Sequence, residues 1–194
     1  MPEERQSRSP LKITFPEKVV NTVIKSLISI LCRVEKKPLE RVPDQGPLIV
    51  YSNHINFLDA PLFYTYLSPR HLTGFVKIET WNNPFLGPLF SLWDTIPLRR
   101  GEADMSAIRQ GLAALKKGQI LVIAPEGTRS EDGKLQKAHA GTVMMAQLSK
   151  APLLPIAHYR AEKFHDNLTR LKRTDFHIVV GDPFVLDNQG ERTS

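Results

Sequence analysis

The chain has one cysteine, Cys32, among its 194 residues. An intrachain disulfide framework is therefore excluded, and with it the small secreted scaffolds that depend on one. Cys32 lies in an apolar segment, where a buried, inert thiol is expected rather than a nucleophile. Zinc-type ligand spacing is also missing: His54, His71, His139, His158, His165 and His177 are scattered, so no metal site is expected. There is no Gly-x-Ser-x-Gly elbow, which counts against a serine hydrolase. Long uninterrupted apolar runs are absent as well. The richest, residues 19–34, is broken by Asn21, Lys25 and Arg33, and it falls short of the roughly 20 apolar residues of a spanning helix. No small-residue cleavage signature follows it, so no secretory signal is expected. Without an RNA-binding aromatic signature or a basic DNA-reading helix, nucleic acid is not an expected partner.

What the chain does contain is ordinary for one globular domain: 41% hydrophobic and 24% charged residues. Its length allows a substantial core. The net charge of +6 and a pI near 9.5 favour anionic partners, either a phospholipid surface or a phosphorylated substrate. Residues 1–15 read as a loose segment and 16–194 as the domain. Within it, an amphipathic or apolar helix over 16–35 lies on a bilayer or packs on the domain.

Strands and helices alternate along the rest. Strands are expected at 48–51, 72–76, 95–98, 119–124, 153–157 and 176–180, and helices at 19–34, 59–67, 85–93, 103–117 and 141–149. The helix over 103–117 is the clearest, with Ile108, Leu112 and Leu115 on one face and Gly118 after Lys116-Lys117 as its stop. Several strands are continuous apolar runs, the pattern of a sheet covered on both faces. The fold class is α/β, a single-domain mixed sheet flanked by helices. Residues 81–84 and the basic stretch 160–175 read as loops.

His54 and Asp59, with four residues between them, carry the most chemistry. The apolar run Leu48-Ile49-Val50-Tyr51 ends just before them, and Asp59-Ala60-Pro61 opens a helix in which Pro61 is tolerated in the first turn. A His at a strand end and an Asp at the next helix start can meet across the short turn. The carboxylate then fixes one imidazole nitrogen as N–H and leaves the other free to accept a proton. This is the orienting half of a Ser-His-Asp arrangement with no Ser of its own, so the nucleophile is expected to be the substrate.

Three further segments follow strands, where α/β proteins place ligands. Thr95-Ile96-Pro97-Leu98 ends in Arg99-Arg100, a fork suited to phosphate or carboxylate. Leu121-Val122-Ile123-Ala124 runs into Pro125-Glu126-Gly127-Thr128-Arg129-Ser130, where adjacent Glu and Arg after a buried strand mark a polar site. In Leu153-Leu154-Pro155-Ile156, Pro155 cannot donate to a ladder, which implies an edge, a bulge or a groove wall.

Taken together, Asn53-His54 through Asp59, then Glu126-Gly127-Thr128-Arg129-Ser130, then Leu154-Pro155-Ile156, resemble the glycerolipid acyltransferase family, over residues 47–185. Its best-known members are the 1-acyl-sn-glycerol-3-phosphate (lysophosphatidic acid) acyltransferases. The resemblance implies His54 as general base, Asp59 as its orienting carboxylate and Arg100 on the acceptor phosphate. It implies an acceptor site shaped by Glu126, Gly127, Thr128 and Arg129, and Pro155 on the acyl-donor side. Asn53 and Ser130, adjoining these, complete the substrate-binding set. The chain departs from the family in carrying Asp94 where the second block opens with Gly, and Arg99 where it has an acid. Ala124 replaces the aromatic before Pro-Glu-Gly, and Ala138-His139 the Phe-Lys run.

The activity so implied is transfer of a fatty acyl group to a lysophospholipid hydroxyl, most simply that of 1-acyl-sn-glycerol 3-phosphate, giving phosphatidic acid in phospholipid biosynthesis. Acyl-CoA or acyl carrier protein serves as co-substrate, with no cofactor and no metal. The expected location is peripheral, on the cytoplasmic face of a membrane, against anionic lipids. Another lysolipid or glycerol acceptor, a lipid hydrolase and a non-enzymatic membrane-binding module stay open as alternatives.

Overall fold

The computed structural model describes residues 13–99, 104–130, 134–186 and 192–193. In chain order the elements are α1 (Phe15–Leu31), β1 (Cys32–Val34), β2 (Leu48–Ser52), α2 (Asp59–Tyr66), β3 (Leu72–Lys77), α3 (Leu86–Leu92), β4 (Ile96–Leu98), α4 (Met105–Lys116) and β5 (Ile120–Ile123). They continue with α5 (Gly141–Ser149), β6 (Leu153–Tyr159), α6 (Phe164–Thr169), β7 (Thr174–Val180), β8 (Val185–Leu186) and β9 (Arg192–Thr193). Short 3-10 turns lie at Lys37–Arg41, Ile78–Asn82 and Ala161–Lys163.

Seven strands form one sheet in the order β1-β7-β6-β2-β5-β3-β4. Pairing is parallel except between β6 and β7. β2 is central, with Leu48–Tyr51 in register with Ile120–Ile123 on one side and Ile49–Ser52 with Leu153–Ile156 on the other. Such a strand is covered above and below, which its unbroken apolar run anticipates. Leu48 and Val50 join one core with Ile28, Leu62, Phe63, Leu154 and Phe176. Ile49 joins the other with Leu121, Leu115, Met145 and Leu153. From β2 the chain passes over β5 to β3, whereas from β5 it returns past β2 to β6. The carboxyl ends of β2, β5 and β6 therefore flank the point where the connections part in opposite directions, where open α/β sheets form their ligand crevice.

The first helix packs on the domain along one arc and leaves a second apolar arc exposed. Ile24, Ile28 and Leu31 pack into the core, and Asn21 accepts a 2.8 Å hydrogen bond from Trp93 Nε1. On the adjoining arc Phe15, Val19, Val23, Leu27 and Ile30 are exposed, from 47% at Val19 to 78% at Phe15. The helix starts at Phe15 on a Thr14 cap and stops at Leu31, earlier than the sequence suggested. Cys32-Arg33-Val34 turns extended and pairs with Thr174-Asp175-Phe176 at the sheet edge. That pairing joins segments more than a hundred residues apart, which no local pattern reports. Cys32 is buried, and burial pushes its thiol up to about 11, so it is inert.

Residues 160–175 are likewise not a plain surface loop. Ala161 and Phe164 are buried, and Phe164 packs edge-on against Phe57, which anchors α6. Pro155 resolves as a bulge. From Ile156 opposite Val180 to Leu153 opposite Phe184, the returning chain carries one residue more than β6. Gly181 N–H bonds Pro155 O at 2.9 Å, and any Cβ on Gly181 would stand 2.6 Å from Pro155 Cγ.

Candidate active site

The turn from β2 to α2 is built around one carboxylate oxygen. Asp59 Oδ2 accepts from Ile55 N at 2.8 Å, Asn56 N at 3.1 Å and His54 Nδ1 at 2.7 Å. The two main-chain donors close the loop, as an Asp at a helix start commonly does, and the helix amino terminus favours the anion. Asn56 tightens it further: its Oδ1 accepts from Leu58 N and its Nδ2 donates to Ala161 O, both at 2.8 Å. Asp59 is 4% exposed, whereas a quarter of the His54 side chain is open to solvent. With Nδ1 donating to Asp59, Nε2 of His54 is the basic nitrogen left to a substrate.

The main chain of His54 is clamped by the loop after β5. His54 N–H donates to Glu126 Oε1 at 3.2 Å, and His54 O accepts from Ser130 N at 2.7 Å. Glu126 Oε2 takes Gln136 N at 2.9 Å, so this buried carboxylate ties the loop's outgoing arm to the histidine. Between these fixed ends Gly127, Thr128 and Arg129 form an exposed tip. Gly127 is at φ +67°, the left-handed region, and a Cβ there would come within 3.2 Å of the His139 ring.

Of the residues singled out in the sequence, His54 and Asp59 meet as the spacing anticipates. Glu126 and Ser130 reach the histidine through its backbone. The amide of Asn53 is committed to main chain, donating to His158 O at 2.8 Å and accepting from His158 N at 3.0 Å. Pro155 pairs with Tyr51, three residues before His158 on the same strand. Arg100 lies outside the described residues. Arg99 is exposed and its N–H donates to Asp104, the cap of α4. Asp94 adopts φ +49°, the backbone that the family's glycine at this place would meet without strain.

His158 stands outside the motifs that the sequence singles out. Its side chain is fully buried, its ring stacks on Phe176 at 5.0 Å, and its Nε2 lies 3.4 Å from Asp59 Oδ1. Burial lowers its affinity for a proton more than Asp59 raises it, so the imidazole is neutral and the pair is not an ion pair. A signal was present: in β6 alternate residues share a face, which places His158 inward with Leu154 and Ile156.

The profile of the Acyltransferase family matches residues 33–159, a span holding the dyad, its clamp and His158. The chain is 27% identical over 161 residues to the 1-acyl-sn-glycerol-3-phosphate acyltransferase of Bacillus subtilis, covering 82% of this chain and 78% of that one. It is 27% identical over 163 residues to the protein of that name from Pseudomonas aeruginosa, covering 82% and 62%. In fold it resembles the crystal structure of the LPA acyltransferase PlsC from Thermotoga maritima, with a TM-score of 0.68, 20% identity and coverage of 92% and 72%. With more than half of its length matched by the family profile, the chain belongs to the acyltransferase family.

Proposed function

We propose that the protein transfers a fatty acyl group from a thioester, acyl-CoA or acyl carrier protein, to the free hydroxyl of 1-acyl-sn-glycerol 3-phosphate. The observation that carries this reading is the 2.7 Å bond between His54 Nδ1 and Asp59, which leaves Nε2 as a base at the crevice. Nε2 takes the proton of the acceptor hydroxyl while the oxygen attacks the thioester carbonyl. As the C–S bond breaks, the proton passes to the departing sulfur. Phosphatidic acid and free thiol leave, and no acyl-enzyme forms. Asp59 stabilises the imidazolium present between the two proton transfers. A positioned base contributes about 10²–10⁴-fold, so positioning and charge stabilisation supply the remainder. The acceptor is supported by the names of the relatives and by the basic residues Arg99, Arg100 and Arg129 after β4 and β5.

We further propose that the exposed apolar arc of α1 docks the protein on a membrane, at the cytoplasmic face, where its product would enter phospholipid biosynthesis. No helix among the described residues is long and apolar enough to cross a membrane. Lys18 and Lys25 flank the arc, and the net charge of +6 complements anionic lipid. Because Ile24, Ile28 and Leu31 belong to the core, deleting the helix would confound docking with folding. Val23→Ser with Leu27→Gln alters only the outward arc. That variant is expected to lose binding to anionic vesicles while keeping its fold, and undiminished binding would refute docking through this face.

Incubation of the purified protein with labelled acyl-CoA and a panel of lysolipids tests the activity. Phosphatidic acid as the main product is the expected result. Acylation of a different lysolipid would overturn the acceptor, release of free fatty acid would indicate a hydrolase, and no turnover would leave a membrane-binding module.

A further inference from the structure

Asp59 has two oxygens, and only one is accounted for. Oδ2 takes three donors, whereas Oδ1 is buried with no hydrogen-bond partner. A carboxylate oxygen left so is costly, and the polar group facing it is His158 Nε2 at 3.4 Å, itself without another partner. Neither group got there by a loose rotamer. Asp59 is held by the β2–α2 turn. His158 is held by the reciprocal bonds of its main chain to Asn53, and its ring by the stack on Phe176. Asn53 immediately precedes His54, so the same side chain ties β6 to the residue next to the base.

We propose that His158 is a positioning residue of the dyad, a neutral imidazole whose Nε2–H serves Asp59 Oδ1 and so fixes the carboxylate against His54. The tautomer follows from the neighbours. Oδ1 offers only lone pairs, so the proton belongs on Nε2 and Nδ1 is left bare. An unpaired acceptor nitrogen beside an aromatic ring costs less than an unpaired N–H there would. The 3.4 Å separation is longer than a good hydrogen bond, and catalytic bonds of this kind commonly tighten only when substrate is bound. Donation to Oδ1 draws charge away from Oδ2, which moderates the basicity that Asp59 confers on His54. Three ionisable groups act on His158: Asp59 at the start of α2, His54 in the preceding turn and Glu162 in the 3-10 turn after β6. Asp59 and Glu162 favour its proton and His54 opposes it, but desolvation outweighs them all, so His158 keeps its neutral donor role.

The inference rests on His54 being the base of the proposed reaction, so its test needs a readout independent of turnover. Histidine-labelled protein allows the His54 imidazole to be titrated by NMR, with its signal assigned by His54→Gln. His158→Phe keeps a ring on Phe176 and removes the donor. His158→Gln returns an amide N–H near the place of Nε2. In His158→Phe the His54 midpoint is expected to rise by about half a pH unit or more, because Oδ2 regains charge. In His158→Gln it returns toward the wild-type value. The acid limb of kcat/KM should move with it in both variants. A folded His158→Phe protein with an unchanged His54 midpoint, or one whose kcat falls equally at every pH, would reduce His158 to a packing residue. Wild-type nitrogen shifts give a check that needs no variant: His158 as imidazolium, or protonated on Nδ1 alone, near neutral pH overturns the proposal. Should the coupling appear in a protein that transfers no acyl group, the proposed reaction fails and the positioning role stands.

Discussion

Replacing Asp59 by Asn changes the charge of the dyad and little of its shape. The amide oxygen can occupy the place of Oδ2 and keep all three donors, from Ile55 N, Asn56 N and His54 Nδ1, while its NH2 then faces His158 Nε2, whose neutral ring must move its proton to Nδ1 to accept. What is lost is the counter-charge for the imidazolium that forms as His54 takes its proton. For unit charges about 4 Å apart near a protein surface, that attraction is about 4 kcal/mol. With a quarter of the His54 side chain exposed, part of it is screened. About 3–4 kcal/mol in the barrier is a fall in kcat of roughly 10²–10³-fold. Asp59→Ala is different, since it strands the Ile55 and Asn56 N–H groups in a mostly closed turn, at about 1–3 kcal/mol each. Urea unfolding read beside steady-state acyl transfer separates the two effects. Asn should lose less stability than Ala and be almost inactive, and Ala should be both inactive and several kcal/mol less stable. An Asn variant within tenfold of wild-type kcat, or as unstable as the Ala variant, would refute this account of the carboxylate.

Other outcomes follow from the same geometry. Glu126→Gln cannot keep both of its bonds, because one carboxylate oxygen accepts from His54 N and the other from Gln136 N; it should lower kcat and cost about 1–3 kcal/mol of stability in urea unfolding, and wild-type behaviour would remove the clamp. Arg129→Lys, and likewise Arg100→Lys, keep charge and lose the planar fork, so each should raise the KM for the acceptor more than that for the acyl donor; equal changes in both would take these residues off the phosphate. Because burial lowers the folded-state pKa of His158, the unfolded chain binds more protons once pH falls below about 6.5. Stability carried by neutral His158 is therefore complete above that pH and is lost as pH falls to the folded value, at up to about 1.4 kcal/mol per pH unit. In His158→Phe that component of the acid slope should vanish from urea midpoints measured between pH 4 and 7.

How far the sequence could be read depended on whether each feature is local. Strand β2, its turn and the start of α2 are consecutive, so the run Leu48 to Asp59 announced both the elements and the meeting of His54 with Asp59. Pro155 was legible as a ladder defect because proline lacks an N–H, although the compensating residue lies in the chain after Val180. β1 was hidden, since Cys32-Arg33-Val34 becomes a strand only through Thr174-Asp175-Phe176, and its apolar character prolonged the helix pattern. The turn at Phe164 was hidden by the charged residues around one buried aromatic ring. Glu126 drew attention as a residue for substrate, yet its carboxylate is spent on two backbone N–H groups. His158 was discoverable only by asking which face of β6 it occupies.

The central claim is that His54 Nε2 is the base for acyl transfer, and His54→Ala tests it most directly. The residue sits in a partly open turn and its backbone bonds to Glu126 and Ser130 survive the change. The variant should therefore keep the wild-type circular dichroism spectrum and cooperative urea unfolding, its midpoint lowered only by the lost His54–Asp59 bond, while transfer from labelled acyl-CoA to 1-acyl-sn-glycerol 3-phosphate falls by roughly 10²–10⁴-fold. A folded His54→Ala protein that turns over within a few-fold of wild type would contradict the account.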